Sequence, residues 1–393
     1  MNLKKNKWKS LTLDEACTFV RGVVFSTKDE VDSGGYAILR SHNVDFENSK
    51  VSLHNLKYVS HTVKVKDSQK LMKDDILISV ANSKEQTGKV GFCNEDTNSY
   101  AGGFMAILKP KETIHPFYLF NYLLSDESKD FIAGRTQGTT NIFNITFERI
   151  KDLKIPLPPL EEQKQIAALF QSIETAMEQV DGQEKNLKAL QKNLVNGLLS
   201  NEPEFGNLLN SKNCTPTTFG EIAECDKKYP EHEKEVERFV GLEWIEADNF
   251  QLQGFGLVAN GTTFSKRFAK GDVLFGKRRA YLKKVAVADF DGICSGDILA
   301  IRAKAKKMLQ GLLPYYISAD AFIQHAVSTS AGSLSPRTKW KDLAELEVSI
   351  PDLKTQSTIL EVLQQLDNTV NQLKQQKTTL KHLKQKLLNE ILG

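Results

Sequence analysis

The chain has 393 residues, 40% of them hydrophobic and 26% charged, with a formal net charge of +3. That is the composition of a globular protein with room for two domains, and it excludes a disordered or fibrous chain. No stretch reaches the roughly 20 apolar residues that cross a bilayer, and the basic residues 1–8 have no apolar run behind them, so neither a membrane partner nor a signal peptide is expected and the location is expected to be cytoplasmic. The five cysteines (Cys17, Cys93, Cys214, Cys225 and Cys294) include no CxxC pair, which argues against a disulfide framework or a zinc site.

In chain order, short apolar runs after turns predict strands at 73–79 (KDDILIS), 89–93 (KVGFC) and 104–110 (FMAILKP). A proline-led segment from Pro116 to Phe131 has helical spacing, and Phe147, Ile150 and Leu153 lead into IPLPPLEEQ at 155–163. A long helix then starts at Leu160, with Glu161 and Glu162 in its first turn, where carboxylates suit the positive end of the helix dipole. It carries Ile166, Ile173, Val180, Leu187 and Leu194 at seven-residue spacing and is expected to stop before Pro203. The whole series then recurs. KGDVLFG (270–276), KVAVA (284–288), DILAIRA (297–303), a segment from Pro314 to Val327, and Trp340, Leu343 and Leu346 lead into SIPDLKTQ (349–356). A second long helix, capped by Asp352 and running to the chain end, carries Ile359, Leu366, Leu373, Leu380 and Leu387. An offset of 193 relates the two apolar series, and also Gln163 to Gln356, Leu160 to Leu353 and Pro158 to Pro351.

The expected fold is therefore α+β (mixed α/β): two homologous modules, 1–159 and 202–352, each closed by a long helix, 160–201 and 353–393. A narrow apolar stripe on a polar helix is not stable alone. About 40 residues also make a rod of roughly 60 Å, longer than a 150-residue module can cover. The ten residues spaced by sevens, reinforced by Leu169, Ala176 and Leu190 and by Leu363, Val370 and Ile391, thus predict that the helices pair with each other. Connectivity makes the pair antiparallel and the arrangement pseudo-twofold, with the modules at opposite ends.

No motif for chemistry accompanies this architecture. There is no phosphate-binding G-x-x-x-x-G-K-[ST] loop and no G-x-G-x-x-G after a strand. An aromatic-flanked Asp/Asn-Pro-Pro is also missing, and the seven histidines show no ligand or triad spacing. What clusters is positive charge: Lys266, Arg267, Lys270, Lys277, Arg278, Arg279, Lys283 and Lys284, with Tyr281 among them and Asp272 as the opposing charge within that run. This is a footprint for phosphate binding with arginine available for guanine edges. Ser333, Ser335, Arg337 and Lys339 form a second polar-basic loop. In the first module the candidates are Arg135, Gln137, Thr139, Thr140, Asn141 and Asn144, with Arg40, Ser41, His42 and Asn43, and Asn82, Ser83, Lys84 and Gln86, side chains that can pair with base edges.

IPLPPLEEQKQIAALF (155–170), its degenerate copy SIPDLKTQSTILEVL (349–363) and the order module–helix–module–helix together resemble the specificity subunits of Type I restriction-modification systems, the HsdS family. The second copy departs from the first at Ser349 and Asp352, which stand where the first has prolines. The resemblance implies two target recognition domains, each reading one part of a split asymmetric site in double-stranded DNA. It further implies that the helices set the spacing and dock two HsdM methyltransferase subunits, and that HsdR, the ATP-driven nuclease and translocase, joins them. S-adenosylmethionine, ATP and Mg would belong to those partners and none to this chain, a recognition subunit without catalysis of its own. A coiled-coil adaptor whose modules bind proteins would explain the helices but not the basic cluster; a self-sufficient nuclease or methyltransferase lacks its motifs.

Overall fold

The computed structural model describes residues 5–45, 48–138, 142–199, 209, 213–225 and 236–393. It divides into two compact units, one of residues 1–180 and 375–393 and one of residues 181–374. Each unit therefore holds a module together with a segment of both long helices.

The first unit is built on a six-stranded sheet in the order Cys17–Arg21, Met105–Pro110, Ile76–Ser79, Val90–Phe92, Lys50–Val51, Val44–Asp45. In the second unit the sheet runs Ala223–Cys225, Ile298–Ala303, Val273–Gly276, Val285–Val287, which is the same order of equivalent strands. Ile76–Ser79 and Val273–Gly276 are buried at every position, as a strand covered on both faces must be. The turn before each places Asp74 (φ 68°) and Gly271 (φ 89°) at equivalent left-handed positions. Glycine adopts that conformation without strain, whereas aspartate is one of the few other residues that tolerates it. One residue on, Asp75 and Asp272 are buried. Each accepts a backbone N–H from three residues earlier, Met72 at 2.8 Å and Ala269 at 2.8 Å, and a cation from the neighbouring strand, Lys109 at 2.6 Å and Arg302 at 2.5 Å.

Both units close in the same way: Lys9–Thr12 pairs antiparallel with Lys154–Leu157, and Cys214–Thr218 with Glu347–Pro351. The entry strand of each module is thus stitched to the strand that feeds its long helix. The proline-led segments differ from expectation in that each is two helices, Pro116–Leu123 with Asp126–Ala133 and Leu313–Ser318 with Asp320–Ser328. Ser125 ends the first of these by capping the next, its hydroxyl accepting from Ser128 N–H.

The long helices span Leu160–Gly197 and Leu353–Leu392. The first ends ahead of Pro203, which itself lies outside the described residues. Asp352 accepts from Thr355 N–H at 2.8 Å, a bond that holds its carboxyl below the usual range. All ten residues of the seven-spaced series are buried or half-buried. Leu190, expected to reinforce the stripe, is instead 47% exposed; on that stretch Leu187 and Leu194 are half-buried and Val195 is buried. Within the first unit, Leu388, Ile391 and Leu392 join Ile166, Phe170 and Ile173 in one core with the module. Within the second, Val195 and Leu198 join Ile359 and Leu363 in the same manner. Each helix therefore packs on a module as well as on its partner, which pairing by the seven-spaced stripe alone does not require.

Polar contacts repeat between the units with the helices exchanged. Lys384 of the second helix pairs with Glu174 of the first at 2.8 Å. At the positions 193 residues away, Gln191 of the first helix bonds Asp367 of the second, which also accepts from the Tyr315 hydroxyl. Asn389 and Asp126 clasp each other through Asp126 N–H (3.0 Å) and Asn389 Nδ2 (2.6 Å). Asn196 and Asp320 do the same at 2.9 Å and 2.9 Å. In the first unit the residues near Glu174 meet those near Lys384 while Trp8 and Glu162 lie towards Lys5 and Gly393, so the helices run antiparallel there.

Candidate nucleic-acid interface

In each unit two loops at the end of the main sheet are joined backbone to backbone. In the second unit, the loop after Val273–Gly276 meets the loop 331–338. Arg278 and Arg337 form a bridge, Arg279 N–H donates to Pro336 O at 2.8 Å, and Thr338 N–H donates to Lys277 O at 3.2 Å. In the first unit, the loop after Ile76–Ser79 meets residues 134–138 and 142–145, with Ala81–Asn82 paired to Phe143–Asn144 and that strand to Gln137–Gly138. The Thr87 hydroxyl, bonded to Ser83 O at 2.9 Å and Phe143 O at 3.2 Å, ties the two together.

The second unit's pair gathers Lys277, Arg278, Arg279, Tyr281, Ser335 and Arg337 in one place. Arg279 stands at φ 54° and gives Nη2 to Leu334 O at 3.3 Å; Tyr281 is exposed and Leu334 is 88% exposed at the loop tip. Asp297 lies between the arginines. Arg337 grips it with Nε at 2.6 Å and Nη2 at 3.4 Å, and Arg278 with Nη1 at 3.1 Å. The hydrogen bond from Arg337, aided by both guanidinium charges and Lys277, holds the Asp297 carboxyl below the usual range.

The remainder of the 266–284 run does not form one cationic face. Lys266 and Arg267 lie on Lys266–Phe268, the edge strand of a second four-stranded sheet of this unit that runs Gly256–Leu257, Arg238–Val240, Gly292–Cys294, Lys266–Phe268, and the Lys266 ammonium is bonded to Ile298 O at 2.9 Å. Lys283 is ion-paired with Asp320 and Lys284 donates to Leu242 O at 2.7 Å. The Lys283 bond holds the Asp320 carboxyl below its ordinary range. A run of cations in sequence spreads over several elements when strands and turns interrupt it, and partners from distant segments claim some of them.

The first unit's pair is richer in amides. Asn82 Nδ2 donates to Gln86 Oε1 at 2.9 Å, Lys84 is exposed, and Gln137 is exposed opposite Asn144. Arg135 lays its guanidinium 3.4 Å from the Phe131 ring centroid. Thr139, Thr140 and Asn141 lie outside the described residues. In the 40–43 segment Arg40 is exposed and Ser41 half-buried. Asn43, in contrast, is fully buried, accepting from Arg40 N–H at 3.0 Å and donating to Ser52 O and His54 O. Its amide is consumed in shaping the loop, which corrects its reading as a surface contact.

A match to the family described as the Type I restriction modification DNA specificity domain covers residues 5–189 and 213–382. The chain belongs to that family. Among specificity subunits with similar sequences, that of the type I restriction enzyme MjaX from Methanocaldococcus jannaschii is 26% identical over 98% of this chain and 92% of its own. That of StySPI from Salmonella potsdam is 23% identical over 91% and 82%. The fold matches the solved S subunit of the M. genitalium Type I system, with TM-score 0.58 at 17% identity over 100% of this chain and 98% of that one. It also matches a chain from a structure concerned with complex assembly and conformational transition of the type I R-M system, with TM-score 0.59 at 17% identity over 97% and 96%. The chain is thus a DNA sequence-specificity subunit of mixed α/β fold. Among its described residues no helix is long and apolar enough to cross a membrane, and no group of histidine, cysteine and carboxylate residues could hold a metal ion.

Two residues at these loop pairs were not among the candidates the sequence offered. Asp297 and Phe104 occupy the same backbone place: Lys277 N–H donates to Asp297 O at 2.9 Å, and Val80 N–H to Phe104 O at 2.9 Å. Phe104 is 71% exposed. The aligned runs FMAILKP and DILAIRA begin with these residues, so the register of the repeat was the signal that could have found them.

Proposed function

We propose that each unit reads one part of a split, asymmetric target in double-stranded DNA through its joined loop pair, and that the long helices set the spacing of the two parts and dock two HsdM methyltransferase subunits. Residues 1–159 and 202–352 are then the target recognition domains, and 160–201 and 353–393 the spacer helices. The observation that carries this reading is that the same loop construction recurs in both units with different side chains, cationic around Lys277–Arg279 and amide-rich around Asn82 and Gln137. Like frames with unlike chemistry suit a pair of readers for unlike sequences. Phosphate contacts would position each unit and a few arginine and amide side chains would specify bases.

Catalysis belongs to partners in this reading: HsdM with S-adenosylmethionine for methylation, and HsdR with ATP and Mg for translocation and cleavage, all in the cytoplasm. The test is binding of the chain, assembled with its methyltransferase subunits, to duplex DNA over a range of salt. Replacing Lys277, Arg278 and Arg279 together with alanine is expected to weaken binding and to flatten the dependence of log K on log salt by about one for each phosphate no longer neutralised. An unchanged slope would remove these loops from the interface. Methylation by the purified chain alone would overturn the non-catalytic assignment, and assembly with protein partners without any duplex binding would favour an adaptor.

A further inference from the structure

We infer that Asp297 is a positioning residue that presents Arg278 to a guanine edge, while Arg337 serves as the brace of the same ion pair. The inference rests on the reading of the loop pair as a DNA interface and assigns roles within it.

The geometry separates the two arginines. Arg337 spends Nε and Nη2 on Asp297 and Nη1 on Ser335 O at 3.3 Å, so every nitrogen of its guanidinium is engaged. Arg278 reaches Asp297 with Nη1 only, at 3.1 Å. Its Nε–Nη2 edge, two parallel N–H groups of the kind that bonds guanine O6 and N7 together, meets no protein acceptor among the described residues. The Arg278 side chain is 42% exposed while that of Asp297 is 17% exposed, so the cation faces outward and the carboxylate stands behind it. Both Asp297 oxygens are occupied by guanidinium groups, which leaves the carboxylate poorly placed to accept from cytosine.

The backbone bond at this place does not depend on the carboxylate. Phe104 holds the equivalent backbone bond in the first unit with an apolar side chain. A negative charge among phosphate-binding cations also opposes binding in general. What it supplies is orientation: a guanidinium with one corner fixed has fewer arrangements to lose on forming a bidentate pair. Released from Asp297, Arg278 and Arg337 become two further mobile cations, free to meet any phosphate.

The two roles have opposite signatures, and the assembled methyltransferase complex can be assayed for both, by competition against duplexes altered one base pair at a time and against non-specific duplex. Arg278→Lys, which keeps the charge and loses the fork, is expected to reduce discrimination at one G·C pair of one half-site by roughly tenfold to a hundredfold, with non-specific affinity unchanged. Asp297→Ala and Asp297→Asn are expected to reduce discrimination at that same pair while raising non-specific affinity and steepening its salt dependence. A merely structural aspartate would lower the melting temperature and affect all positions alike. The inference is overturned if Asp297→Asn leaves single-pair discrimination intact, or if Arg278→Lys and the Asp297 variants act at different pairs. Lys277→Ala with Arg279→Ala separates this from failure of the interface itself. If that double variant weakens binding while Asp297→Asn changes nothing, only the positioning role falls; if no variant in the loop pair alters binding, the interface falls with it.

Discussion

Gln163 and Gln356 stand at the same place in the two copies of the repeat, both buried, and they make the same bonds. Gln163 donates to Pro158 O at 2.9 Å and accepts from His115 N–H at 2.8 Å. Gln356 donates to Pro351 O and Lys307 O, each at 2.9 Å, and accepts from Leu309 N–H at 2.9 Å. Each side chain thus satisfies the backbone just ahead of a module's proline-led helix from the first turn of a long helix. Removing it strands a buried N–H and carbonyl, which costs about 1–3 kcal/mol. Gln163→Ala and Gln356→Ala are each expected to lower the melting temperature by several degrees in a calorimetric scan, whereas Lys164→Ala one position away, on the exposed surface, should not.

The sequence made these glutamines visible as a repeated position, and it made the long helices, the central strands and the two loop regions visible through spacing and duplication; the order of the strands in each sheet came only from the structure. It did not reveal where long side chains turn. Lys283 sits in a cationic run yet bonds Asp320, and Asn43 sits in a polar loop yet is buried, because both partners are set by tertiary approach rather than by neighbours in the chain. Asp297 went unnoticed for the converse reason. It lies at the head of an apolar strand, away from the cations it holds, and only the register with Phe104 marks it.

At the level of the helices, the exchanged polar pairs set a test of what holds the seam. Glu174 and Lys384 have side chains 14% and 13% exposed and form an ion pair at 2.8 Å. The equivalent place in the second unit is filled by Gln191, Asp367 and Tyr315. Burial, and the bond to Asp367, raise the Tyr315 hydroxyl well above its ordinary range, so it stays protonated and donates. A buried ion pair with one member removed leaves an uncompensated charge, at a cost of about 3–5 kcal/mol, whereas replacing both members by apolar groups is close to neutral. Lys384→Met is accordingly expected to destabilise the first unit strongly, and Glu174→Leu combined with Lys384→Met to recover most of the loss. Denaturant unfolding of the four proteins of this double-mutant cycle measures it; a Lys384→Met protein as stable as the parent would show the pair to be solvated and inconsequential.

For the molecule as a whole, the proposed spacer role makes a geometric prediction that the repeat helps to state. Each helix contributes to both units, with residues 160–180 and 375–392 in one and 181–197 and 353–374 in the other. Four residues added to one helix alone would put its two halves out of register with their partners, setting Glu174–Lys384 against Gln191–Asp367. Four residues added to both helices, after Gly182 and after Gln375, the positions related by the 193-residue offset, keep both pairs. Such an insertion lengthens each helix by about 6 Å and turns it roughly 40° beyond a full helical turn. In B-DNA one base pair advances about 3.4 Å and turns about 34–36°. The expected result is a gap between the two half-sites that is longer by one or two base pairs, with both half-site sequences unchanged, read by sequencing the methylated positions in cells carrying the variant. The single-helix insertion should instead lose methylation, since it sacrifices one polar pair whichever way the helices settle. An unaltered gap in the matched variant would show that the helices hold the units together without measuring the distance between their targets.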